Sequence, residues 1–93
     1  MPLLAAKDAV DTAKRSIGDL FASEGVFNLG LEELEYDEGQ DRWHITIGFS
    51  RAWDKKQGAL MDLTPLGRTY KVVVMDGEGK IISVRNREPA NAG

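Results

Sequence analysis

Apolar residues recur at three- and four-residue steps along the first quarter of the chain, at Leu3, Ala6, Val10, Ala13, Ile17, Leu20 and Phe21. Lys7, Asp8, Asp11, Lys14, Arg15 and Asp19 lie between them. This is the period of an amphipathic helix, predicted over residues 3–23. Pro2 suits the first turn, where its missing N–H is not needed, and Gly25 stands where a left-handed residue would end the helix. Gly18 costs about 1 kcal/mol relative to Ala inside a helix. The expected reason for it is a close approach of the sheet.

Beyond Gly25 the period shortens to two. Residues 29–36 read as a first strand in which Leu31, Leu34 and Tyr36 do not share one alternation, so a bulge or an irregular start is expected. Asp37, Glu38, Gly39, Gln40 and Asp41 then form a turn. Residues 42–50 alternate most cleanly, with Trp43, Ile45, Ile47 and Phe49 on the core face and Arg42, His44, Thr46, Gly48 and Ser50 on the other. The third strand, 68–75, is read with Tyr70, Val72 and Val74 toward the core and Thr69, Lys71, Val73 and Met75 away from it. Asp76, Gly77, Glu78 and Gly79 form a tight hairpin in which both glycines are free to take positive φ. The fourth strand, 80–87, places Ile82 and Val84 with the core and Ile81, Ser83, Arg85 and Arg87 opposite.

These elements predict an α+β fold: one N-terminal amphipathic helix packed on a four-stranded antiparallel meander. A single domain spans residues 1–88, and residues 89–93 read as a frayed tail. One connection breaks the pattern. Residues 51–67 join the second and third strands, whereas such connections usually take about 2–5 residues, and irregular loops beyond roughly 12–15 are uncommon unless they bind something or are disordered. This stretch is also apolar, with Trp53, Leu60, Met61, Leu63 and Leu66 beside a polar tip at Asp54, Lys55, Lys56, Gln57 and Gly58. It is expected either to fold back and complete the core, or to order on a partner or a second subunit. Arg, Trp and Met are enriched at interfaces, which selects Arg51, Trp53 and Met61 as anchors, with Leu63 beside them. Solvent exposure of Trp53 separates the two readings.

Composition narrows the function classes. Ninety-three residues with 42% hydrophobic content suit one core. A chain of this size buries only about 60–65% of its unfolded surface, which leaves little to wall a deep cavity. A net charge of −3 and a pI near 5.1 argue against nonspecific nucleic-acid binding, which needs clustered Lys and Arg. With no cysteine there is no disulfide framework, thiolate nucleophile or Cys-ligated metal. The start of the chain lacks a secretory pattern, and no window approaches the roughly 20 apolar residues of a membrane span. A cytoplasmic protein without membrane or nucleic-acid partners is therefore expected.

The candidate chemistry is sparse. The strand pattern gathers Glu33, Glu35, Arg42, His44, Lys71, Arg85 and Arg87 on the sheet face away from the helix, around Thr46, Ser50, Ser83, Val73, Met75 and Ile81. Its bland role is a solvated face with cross-strand charge pairs. Its functional role is a contact surface, with Val73, Met75 and Ile81 as an apolar centre rimmed by cations that suit an acidic partner or a second copy. His44, the sole histidine, lacks the companions that a general base or a metal ligand needs, and reads as a surface residue in a cross-strand pair. Glu32, Glu33, Glu35, Asp37, Glu38 and Asp41 lack the register of a calcium loop. Gly77 and Gly79 precede a strand rather than a helix, which is the wrong context for a phosphate cradle. No catalytic residue, metal ligand or cofactor is assigned.

Two family resemblances accompany this pattern. The run from Trp43 to Phe49, followed by Tyr70, Lys71, Val72, the turn Asp76-Gly77-Glu78-Gly79, Lys80 and the aliphatic strand to Arg85, resembles PepSY-like domains in layout. The Trp strand, interrupted connection and Tyr strand also resemble gas-vesicle accessory proteins. The PepSY resemblance implies a noncatalytic binding or inhibitory module of bacterial type, although the long 51–67 connection departs from the short ones usual there. The leading expectation is a protein-binding accessory domain, not an enzyme, that uses Arg42, His44, Lys71, Val73, Met75, Arg85 and Arg87 on the sheet with Arg51, Trp53, Met61 and Leu63 on the connection. The alternatives are a structural homo-oligomer, a homodimer among them, and a small open-sheet enzyme or ligand binder with a closed pocket at His44.

Overall fold

A computed structural model of the chain describes residues 3–51 and 69–87. It comprises a helix α1 (Ala6–Leu20), a 3-10 turn (Ala22–Glu24) and strands β1 (Val26–Asp37), β2 (Arg42–Arg51), β3 (Thr69–Asp76) and β4 (Ile81–Asn86). The strands form one antiparallel sheet in the order β1-β2-β3-β4, with α1 packed against β1 and β2. The predicted α+β meander is the observed fold. Trp53, Met61, Leu63 and the rest of the connection after Arg51 lie outside the described residues, as does the tail 89–93.

The buried stripe of α1 is Ala9, Ala13 and Ile17, one residue per turn, flanked by Val10 and Phe21. Two alanines at the contact let the helix axis approach the sheet, and Ile17 adds the one large side chain of the stripe. The stripe is narrower than the sequence period suggests: Ala6 is exposed, as are Leu3 and Leu20 at either end. The α-helix stops at Leu20, and the chain turns through the 3-10 segment to Gly25, whose φ of 66° is left-handed as expected. Gly18 departs from expectation, since a Cβ there would meet nothing within 4 Å. The sheet does not approach it.

β2 is the centre of the core. Ile45, Ile47 and Phe49 are fully buried beneath Ala9, Ala13 and Ile17, with Trp43 at the turn end, where its ring lies 5.0 Å from that of Tyr36. Each such side chain contributes roughly 1.5–3 kcal/mol of burial. The opposite positions of β2 are not all solvated: Thr46 and Ser50 are buried as well, in a strand flanked on both sides. β1 carries the expected irregularity twice, between Phe27 and Gly30 and between Leu31 and Glu33. The second shift lets both Leu31 and Leu34 pair with core residues, Ile47 and Ile45, despite their odd spacing.

The faces of β3 are the reverse of those expected. Trp43 pairs with Met75 and Ile45 with Val73, so Val73 and Met75 point into the core and are fully buried. Tyr70, Val72 and Val74 take the outer face. Lys71 also lies on the helix side, with its ammonium 5.3 Å from the centre of the Phe21 ring and donating to Asn86 Oδ1. The long alkyl stem lets a lysine cross an apolar edge in this way. In β4 a shift beside Met75 pairs that residue with Ile81 and leaves Ile82 exposed, so Ile81 joins Val84 against the core. Residues 72–75 are apolar on both parities, so register decides the faces where alternation cannot.

Candidate functional site

With these registers, the face away from α1 carries His44, Thr46 and Ser50 from β2, Tyr70, Val72 and Val74 from β3, and Ser83, Arg85 and Arg87 from β4. Glu33 and Glu35 join from β1. His44 pairs with Val74, and Val72 sits between Thr46 and Arg85. His44, Val72, Val74, Arg85 and Asn86 line a shallow depression of about 290 Å3. Its floor is two valine side chains and its rim holds an imidazole and a guanidinium. Arg87 is held beside it, its guanidinium carbon 4.2 Å from the centre of the Tyr70 ring, while its backbone N–H donates to the Tyr70 carbonyl at 3.2 Å.

Of the residues selected from sequence, Arg42, His44, Arg85 and Arg87 share this outer face by strand parity. Lys71, Val73 and Met75 do not, and a buried Val73 and Met75 cannot form the exposed apolar centre expected of them. Val72, half-buried, and Val74, 8% exposed, lie on that face instead. Local alternation places Tyr70, Val72 and Val74 toward the core, whereas the pairing of Asp76 with Arg42 at the turn sets the opposite parity. Arg51 lies at the far end of β2, where its Nη1 makes a 2.8 Å ion pair with Glu24 Oε1. That contact ties the last described residue before the connection to the 3-10 turn.

The two turns share the opposite end of the sheet. The Tyr36 hydroxyl donates to Asp41 Oδ1, and this bond, with the acidic charges around it, pushes the Tyr36 phenol up to about 12. Asp76 Oδ1 accepts from the backbone N–H groups of Lys80 and Glu78, both at 2.9 Å, and these bonds, the one from Lys80 first, hold its carboxyl below the usual range. Leu4 reaches the same corner and donates its N–H to the Gly77 carbonyl at 2.9 Å. The indole nitrogen of Trp43 is buried there without a hydrogen-bond partner among the described residues.

Among the described residues, no group of three or more His, Asp or Glu converges as a metal site, and no helix is long and apolar enough to cross a membrane. Comparisons with protein-family models, with curated proteins and with solved structures return no match.

Proposed function

We propose that this chain is a noncatalytic protein-binding domain of accessory or inhibitory type, whose outer β2–β4 face receives an extended segment bearing aliphatic and acidic side chains. The observation that carries the reading is the depression with a Val72 and Val74 floor and a His44 and Arg85 rim. Its volume is at the lower bound of small-molecule pockets, about 300 Å3, and suits one or two side chains rather than an enclosed substrate. An aliphatic side chain on the valines removes apolar surface from water, while a neighbouring carboxylate meets the exposed Arg85. The binding role implied by the PepSY resemblance agrees with this reading.

A peptide-display selection against the purified chain tests it. Enrichment of acidic–aliphatic segments is expected, with binding lost in Val72→Glu and in His44→Glu variants that retain the wild-type circular dichroism. No enrichment, or enrichment indifferent to both variants, would contradict the reading.

A further inference from the structure

Among the described residues, β1 and β4 are the edge strands of the sheet, and they carry opposite charge in matching five-residue frames. Residues 33–37 of β1 are regular in pairing and follow a register shift, and they include Glu33, Glu35 and Asp37. Residues 83–87 are likewise regular beyond the shift at Ile82 and include Arg85 and Arg87. Glu33, Glu35, Arg85 and Arg87 are exposed on the outer face. None of the four is in an ion pair with another described residue.

Backbone parity restricts the two edges to registers that differ by two residues. The Arg87 N–H bonds to Tyr70 of β3, so by antiparallel alternation Ser83 and Arg85 also face β3, leaving the backbone groups of Val84 and Asn86 turned outward from the described sheet. Carried across the sheet, the same alternation turns Glu33, Glu35 and Asp37 toward β2 and the backbone groups of Leu34 and Tyr36 outward from the described sheet. A meander of four strands has antiparallel edges, so a second copy in the same orientation extends the sheet antiparallel with its helix on the same side.

We propose that β4 of one copy pairs with β1 of a second copy, with Arg87 opposite Glu33 and Arg85 opposite Glu35, and with Asn86 and Val84 hydrogen-bonded to Leu34 and Tyr36. This register aligns the outward backbone groups, both charge pairs and the apolar pair Val84 and Tyr36 together. Pairing β1 with β1, or β4 with β4, sets like charges opposite each other and is disfavoured. The contact is head to tail, so copies add into an open chain or a ring. The proposal does not depend on the outer-face reading, since it is read from self-association rather than from peptide binding.

Sedimentation of the purified chain across concentration and salt tests it. The weight-average mass should rise with concentration and fall with salt. Glu33→Lys with Glu35→Lys makes both edges basic, and Arg85→Glu with Arg87→Glu makes both acidic; each double variant should associate at least ~tenfold more weakly, while an equimolar mixture should recover association. Circular dichroism verifies the fold of both. A wild-type chain that stays monomeric at every concentration, association that both variants retain, or a mixture that does not recover it would overturn the proposal.

Discussion

Asp41 and Gly77 lock the two turns of the sheet together: a Cβ on Gly77 would stand 2.8 Å from Asp41 Cγ and 2.7 Å from Oδ2. Gly77 does not have positive φ, so the glycine is required by this approach and not by its own backbone. Gly77→Ala is therefore expected to destabilise the chain, because the Asp41 side chain must move and release the Tyr36 hydroxyl. In an Asp41→Gly background, where the carboxylate is gone and the φ of 55° at position 41 is unstrained, Gly77→Ala should become neutral or stabilising by about 0.4–1 kcal/mol. A urea double-mutant cycle measures the difference; additive effects would show that the contact is not the cause.

The Tyr36–Asp41 bond also predicts a titration. A phenol whose folded value is raised contributes stability that is complete below the unfolded value of about 10 and is lost as pH rises through about 12. In a Tyr70→Phe background, phenolate absorbance should therefore appear late. Asp41→Asn should bring it back toward the ordinary value.

Asp76 gives the acid counterpart. Its carboxyl is depressed by the backbone donors of Lys80 and Glu78, so its contribution is present above the unfolded value and disappears as pH falls through the folded one. Wild-type and Asp76→Asn urea midpoints, compared from about pH 6 down to about pH 2, should converge at the acid end. Curves that remain parallel would remove this role from Asp76.

Gly18 lies inside α1 with open space where a side chain would go. Gly18→Ala should accordingly raise stability by about 0.5–1 kcal/mol, with the thermal midpoint moving upward. A loss of stability would mean that something does pack against this position.

What was legible in the sequence followed from unambiguous periodicity. The alternation from Trp43 to Phe49 placed the central strand, the four-residue step through Ala13 and Ile17 placed the helix, and the conflict among Leu31, Leu34 and Tyr36 announced a bulge. Periodicity stops deciding where both parities are apolar. Val72 to Met75 is such a run, and its orientation comes from cross-strand pairing with Trp43 and Ile45, a long-range fact that no local window contains. The same applies at Ile81 and Ile82, where one shifted pair exchanges the inner and outer isoleucine. The candidate site moves with that register: its cations Arg85 and Arg87 are legible in the sequence, whereas local alternation puts Val73, Met75 and Ile81 at its apolar centre and the pairing puts Val72 and Val74 there. The role of Gly77 was misread for a related reason, because its constraint is the Asp41 carboxylate on another turn.

The central claim, that the outer β2–β4 face is the binding surface, is tested most directly by following amide chemical shifts of the isotope-labelled chain during titration with a selected acidic–aliphatic peptide. Shift changes confined to His44, Val72, Val74, Arg85 and their strand neighbours are predicted, and they should vanish in His44→Glu. Changes centred on the exposed side of α1 around Lys7 and Asp11, or none at saturating peptide, would contradict the account.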